Sequence, residues 1–137
     1  MFELLGSMGA EILLDENMNF TINTTNLNEI EARYELVKTM RASILVLGPL
    51  LARHGKAKIA LPGGCAIGSR PVDLHLLALK KLGAKIKIKD GYIIAEAKKG
   101  LVGTNIKFPS NSVGATENAL IAAHGAKGKT TLSNCAI

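Results

Sequence analysis

The sequence predicts an α/β fold of repeated α/β units, with helices packed on mixed sheets. Three observations predict it. Met8-Gly-Ala-Glu-Ile12 recurs as Leu82-Gly-Ala-Lys-Ile86, and each follows a helix-like apolar stretch and precedes an alternating one. His54-Gly55 recurs as His124-Gly125, and Cys65-Ala-Ile67 as Cys135-Ala-Ile137, so the repeat runs at 70 to 74 residues, longer than the common solenoid periods. Helical and strand-like patterns also alternate in the same order through both copies, roughly 1–70 and 71–137 of a single partial domain.

The elements follow in order. Residues 2–8 read as a helix that stops at Gly9, and a second helix stops likewise at Gly83, because glycine suits the left-handed position after a helix. Strand pairs come next, 12–14 with 20–22 and 84–89 with 92–97; Asp90-Gly91 between the second pair is a strong hairpin signal. One long helix is expected over 34–53, kinked or split by Pro49. In the second copy a shorter helix, 117–124, takes its place. Strands 58–61 and 130–133 then close the copies. The first helix lacks a preceding strand, and Ile137 stops where the first copy leads into a glycine-rich loop, so both ends read as cut.

Composition narrows the function classes. At 137 residues and 47% hydrophobic, the chain can bury roughly 70% of its extended surface, which excludes disorder. Two cysteines exclude a disulfide scaffold. The apolar run 44–52 is too short to span a bilayer and contains Pro49. The N-terminus has neither the basic start nor the long apolar core of a secretory signal, so the expected compartment is the cytoplasm, with no membrane partner. The net charge is +6, and thirteen of the 17 basic residues are lysines. Five aromatics and no Trp leave few stacking platforms, so the lysines read as a solvated surface and nucleic acid is not an expected partner.

The segment Leu61-Pro-Gly-Gly-Cys-Ala-Ile-Gly-Ser-Arg-Pro-Val-Asp-Leu-His75 leaves a strand and enters a helix. Pro71 is expected at the first helical position, Ser69 or Arg70 at the N-cap and Asp73 in the first turn. Unpaired N–H groups at the helix start, with Arg70 beside them, suit phosphate or diphosphate. A strand-to-helix turn that merely needs glycine has the same composition. The same surroundings would lower the pKa of Cys65 toward neutral, making it both proton donor and nucleophile; Cys135 reads as an inert small residue. No Cys/His cluster has zinc spacing, so no metal and no cofactor are expected. Arg41 lies in an apolar helical stretch with its stem packed beside Val37 and Leu45, either ion-paired or aimed at an anion. Ser112-Val-Gly-Ala-Thr116 reads as a small-residue loop before a helix. His54 and His124 suit helix C-termini and read as structural.

These residues carry a resemblance. Tyr34-Glu-Leu-Val-Lys-Thr-Met-Arg-Ala-Ser43, the cysteine segment and Ser112-Val-Gly-Ala-Thr116 closely resemble the UDP-N-acetylglucosamine 1-carboxyvinyltransferase family, a branch of the enolpyruvyl transferases. The resemblance runs through essentially the whole chain. It implies about two of the three repeats of one domain of that family's inside-out barrel. It also implies the reaction: the enolpyruvyl group of phosphoenolpyruvate moves to the 3-hydroxyl of UDP-N-acetylglucosamine with release of phosphate, the first committed step of peptidoglycan synthesis. By motif, Cys65 matches the catalytic cysteine and Arg70 the arginine that meets phosphate. Pro71, Val72, Asp73 and Leu74 match the segment at the uridine end of the nucleotide sugar. Arg41 matches a further binding arginine, and Ser112 and Val113 the loop beside the diphosphate. Ser110 and Asn111 stand where the family also contacts substrate.

The family's lysine-asparagine pair near its N-terminus and the aspartate taken as base for the sugar hydroxyl have no counterpart here. The chain is therefore expected to be inactive alone, and either to self-associate or to lack a second half. The alternative is a non-catalytic remnant that folds or oligomerises and at most binds an anion.

Overall fold

A computed structural model describes residues 1–38, 40–61 and 72–136. Helix α1 (Phe2–Ser7) leads into the antiparallel pair β1 (Glu11–Leu14) and β2 (Phe20–Asn23). Strand β3 (Glu31–Ala32), helix α2 (Tyr34–Val37), a 3₁₀ turn (Arg41–Val46), helix α3 (Leu47–His54) and strand β4 (Lys56–Ala60) complete the first half. The second half runs α4 (Asp73–Lys81), β5 (Lys85–Lys89), β6 (Tyr92–Glu96), β7 (Asn105–Lys107), α5 (Val113–His124) and β8 (Thr131–Ser133).

Both glycine-terminated helices end as expected, and in the same way. Gly9 and Gly83 have φ of +103° and +102°. Gly9 N–H donates to Gly6 and Ala10 N–H to Leu5; Gly83 N–H donates to Lys80 and Ala84 N–H to Leu79. This paired capping satisfies carbonyls that the helix leaves open. Asp90 and Gly91 both take positive φ, 52° and 77°, which matches the twist of the β5–β6 hairpin.

The main sheet has the order β3-β4-β6-β5, with β3 and β4 parallel and the rest antiparallel. Its covered face carries Ala57 and Ile59 from β4 and Ile93 and Ala95 from β6, all buried in the core with Leu47 and Leu51 of α3. Its other face places Glu96 between Lys56 and Lys85, and Ile94 between Lys58 and Lys87. The lysine-rich surface is thus the outer face of a sheet. Lys58 also pairs with Glu31 at 3.2 Å and lies over the Tyr92 ring.

Four expectations change. The helix over 34–53 is broken before Pro49: Met40 is extended (φ −144°, ψ 107°), and its carbonyl accepts from the N–H and Oγ of Ser43, so the chain restarts as a 3₁₀ turn. Pro49 falls in the first turn of α3, where a missing N–H costs least. Strand β4 starts at Lys56, two residues earlier than expected. Helix α5 starts at Val113, because Ser112 caps it: Ser112 Oγ accepts from Ala115 N–H at 3.3 Å. Helix α4 starts at Asp73 with Val72 as N-cap, two residues later than expected; Ser69, Arg70 and Pro71 lie outside the described residues.

Helices α3 and α5 cross at two glycines. A Cβ on Gly48 would lie 2.7 Å from the Asn118 carbonyl, and one on Gly125 would lie 2.5 Å from the Ala52 Cβ. At this crossing the fully buried Asn118 side chain links the helical elements. Its Oδ1 accepts from Gly48 N–H at 2.8 Å, and its Nδ2 donates to the Ile44 carbonyl at 3.1 Å and to His75 Nδ1 at 3.2 Å. Asn118→Ala would strand the buried Gly48 N–H, at about 1–3 kcal/mol, and take from the Ile44 carbonyl one of its two donors, the other being Leu47 N–H. Urea unfolding should therefore show a loss of about 2–4 kcal/mol, and a loss under about 0.5 kcal/mol would show that the network is not structural.

Candidate functional site

Three chain segments converge where the helical elements begin. Asp73 opens α4, Ser112 caps α5 and Arg41 opens the 3₁₀ turn. The Asn118 network ties them together. His75, two residues into α4 from Asp73, contacts Asn118 on α5, and Asn118 also holds Ile44, three residues after Arg41. A Cβ on Gly114, two residues after Ser112, would sit 3.2 Å from His75 Cε1, so α4 and α5 start side by side.

This arrangement sets the state of His75. Gly48 N–H can only donate, which fixes Asn118 Oδ1 as its acceptor and turns the Nδ2 toward His75. His75 Nδ1 must then accept, so the ring is neutral with its proton on Nε2. Burial pushes the His75 pKa below the ordinary histidine value, in the same direction.

The donors at this corner are of two kinds. Two helices present first-turn N–H groups; those of Val113 and Gly114 have no partner among the described residues. Ser112 Oγ accepts from Ala115, which leaves its hydroxyl proton free to donate outward. The fixed charge comes from Arg41. Its stem was expected beside Val37 and Leu45, but the break at Met40 places it exposed at the start of the 3₁₀ turn. It makes no ion pair or hydrogen bond among the described residues, so its charge faces solvent.

The remaining sequence-derived candidates divide clearly. Val72 and Leu74 are half-buried and packed against the core, while Asp73 between them is exposed and complements the α4 dipole. Ser110, Asn111 and Val113 are exposed on the approach to α5. Cys65, Arg70 and Pro71 lie outside the described residues. Cys135 is half-buried and packed against the core. Among the described residues no cluster of three or more His, Cys, Asp or Glu could hold a metal, and no helix is long and apolar enough to cross a membrane.

Sequence reasoning missed Asn118 and gave His75 no role. A signal existed: Asn118 stands 70 residues after Gly48, at the repeat spacing, as an amide inside an otherwise apolar helix. An amide opposite a glycine marks a helix crossing with a hydrogen bond across it.

Known proteins share this architecture. The chain is 64% identical over 137 residues to the UDP-N-acetylglucosamine 1-carboxyvinyltransferase of Pelagibacter ubique, covering all of this chain and 33% of that protein. It is 61% identical over 135 residues to the protein of the same name from Chlorobium chlorochromatii, covering 98% of this chain and 32% of that one. The chain thus spans about a third of the length of the curated relatives it matches. Among solved structures, the enolpyruvyl transferase NikO from Streptomyces tendae superposes with a TM-score of 0.75 at 23% identity, over 95% of this chain and 31% of that one. EPSP synthase from Acinetobacter baumannii does so with a TM-score of 0.70 at 19% identity, over 96% and 31%. These two place the fold among the inside-out α/β units of the enolpyruvyl transferases. With residues 1–137 all matching its sequence pattern, the chain belongs to the family described as EPSP synthase (3-phosphoshikimate 1-carboxyvinyltransferase).

Proposed function

We propose that this chain carries the cysteine-loop part of an enzyme that transfers the enolpyruvyl group of phosphoenolpyruvate to the 3-hydroxyl of UDP-N-acetylglucosamine, releasing phosphate, in the cytoplasm. What carries the reading is identity of 55–64% along nearly the whole chain to proteins of that name, against 19% to the EPSP synthase structure. The division into copies 1–70 and 71–137 belongs to the same reading.

The chemistry balances on few groups. The sugar hydroxyl gives its proton to a base that the resemblance puts outside these residues as its oxygen bonds to C2 of phosphoenolpyruvate, while the Cys65 thiol gives its proton to the C3 methylene. A proton then leaves C3, the C2–O bond to phosphate breaks and the double bond returns. Arg70 meets the phosphate. The free charge of Arg41, the Ser112 hydroxyl and the N–H groups of Val113 and Gly114 offer complementary donors to a diphosphate, as helix starts do. Val72, Asp73 and Leu74 open α4 beside them and, with Pro71, take the uridine end; Ser110 and Asn111 extend the donor edge.

Cys65 is expected to be the reactive thiol. The purified chain treated with fosfomycin, the epoxide that alkylates the family's cysteine, should be labelled at Cys65 and spared at Cys135. Equal labelling, or preference for Cys135, would sink this assignment.

Arg70→Ala should remove a charge-assisted phosphate contact and weaken phosphoenolpyruvate binding by about 1.5–3 kcal/mol. Arg70→Lys should recover only part, because an ammonium lacks the guanidinium fork. Arg41→Ala should weaken the nucleotide sugar more than phosphoenolpyruvate. Calorimetric titration of the enzyme with each ligand checks both, and unchanged affinities refute the roles.

The 137-residue polypeptide assayed alone should release phosphate at the background rate. The resemblance puts the base for the sugar hydroxyl on residues it does not contain, and such a group contributes about 10²–10⁴-fold. Turnover that needs both substrates and disappears in Cys65→Ala would show that a smaller site suffices.

A further inference from the structure

The bonds that Asn118 makes across the helix crossing also decide what His75 presents to the candidate corner. Gly48 N–H holds Asn118 Oδ1 at 2.8 Å, so Nδ2 is the atom that meets His75 Nδ1 at 3.2 Å. A carboxamide turned the other way would set Nδ2 against Gly48 N–H, donor against donor. It would also set Oδ1 against the Ile44 carbonyl, which Nδ2 now reaches at 3.1 Å. Two backbone groups thus fix the amide, and the amide opposes a proton on His75 Nδ1. The neutral ring carries its proton on Nε2.

The opposite edge of the ring faces the start of α5. A Cβ on Gly114 would lie 3.2 Å from His75 Cε1 and 3.4 Å from Nε2, so a side chain there would press on this edge. By standard bond lengths Nε2 is within about 6 Å of the Gly114 nitrogen. Neither Gly114 N–H nor His75 Nε2 has a partner among the described residues. The buried polar side-chain atoms without a partner there are His54 Nε2 and Thr130 Oγ1; His75 Nε2 is not one of them, and it reaches the surface of the corner.

We propose that Asn118 is a positioning residue for the nucleotide-sugar site: it keeps the His75 proton on Nε2, where that N–H donates to a diphosphate oxygen beside the N–H groups of Val113 and Gly114. The ligand class, a nucleoside diphosphate, rests on the enolpyruvyl-transfer reading; the tautomer does not. A neutral N–H acts only at hydrogen-bond distance, so it fixes where an oxygen sits without drawing anions from afar as Arg41 does.

The experiment follows the ring nitrogens of the 15N-labelled chain by two-bond 1H–15N correlation, with uridine 5′-diphosphate as the probe. Wild-type His75 should be the Nε2–H form, and its Nε2 signal should shift with the Val113 and Gly114 amides as the probe is added. His75→Asn keeps an oxygen for Asn118 but has nothing at the Nε2 position, and it should weaken the probe about tenfold or more. His75→Gln reaches the Nε2 position with an N–H donor and should recover most of that loss. Asn118→Asp still accepts from Gly48 but turns an acceptor toward His75, and should put a proton on Nδ1. A wild-type ring protonated on Nδ1, or an Nδ1 that stays bare in Asn118→Asp, overturns the role of Asn118. If Asn118→Asp does not fold, the two histidine variants decide, since both keep Asn118. Unchanged affinity in His75→Asn, or an equal loss in His75→Gln, overturns the proposal while the amide response leaves the functional reading standing. A wild-type chain whose Val113 and Gly114 amides do not respond overturns that reading and the proposal together.

Discussion

The carboxamide of Asn118 is the constraint on which the helical layer depends. It lies in the core, where an unpaired amide is costly, and it meets its obligations with groups from three other elements. The contact closes only because Gly48 has no side chain; a methyl there would collide with the Asn118 carbonyl and side-chain oxygen. A close crossing and a satisfied buried amide therefore require each other. A hydrogen bond also has a direction, which apolar packing lacks, so α3, α4, α5 and the 3₁₀ turn are fixed in rotation as well as in distance.

Site placement follows from that crossing. Helix starts supply N–H groups only where their first turns point, and here two helices and an arginine-bearing turn open on one corner. His75 joins the network as a neutral ring, held so by burial and by the donor facing it. The corner therefore keeps its cationic character on Arg41 and on backbone dipoles, whose positions are set by the fold. The thirteen lysines do different work. On the main sheet, rows from β4 and β5 flank β6, which separates them by roughly 10 Å, about one Debye length at physiological salt. Repulsion between them is screened, and the face stays solvated.

Much of the fold was legible in the sequence, and for local reasons. Gly9 and Gly83 end helices because a left-handed residue costs glycine least, and the residues capped around them match in both halves. Asp90-Gly91 fits a turn whose hand only such residues adopt cheaply. The alternation Lys85-Ile-Lys-Ile-Lys89 and its partner Tyr92–Glu96 declared a hairpin without reference to anything distant. The approach to the candidate corner, Asp73 in a first turn and Ser112 before a helix, was legible in the same way, although the first residue of each helix was not.

The sequence by itself determined the α/β class, the glycine-bounded helices, the hairpins and the loop segments that carry the chemistry. These depend on backbone preference and on side-chain period, which act over a few residues. Only the tertiary structure decided that 34–53 breaks at Met40 rather than at Pro49, that Arg41 stands exposed, and that β4 pairs with β6 as well as with β3. It also decided that Gly48 is needed for its smallness, not for its backbone freedom. Those outcomes turn on contacts between residues some 27 to 74 positions apart, such as Asn118 with Ile44 and Glu31 with Lys58. A local pattern carries no record of such partners, because the same apolar helix or alternating strand can pack against many surfaces, and only the assembled core selects one.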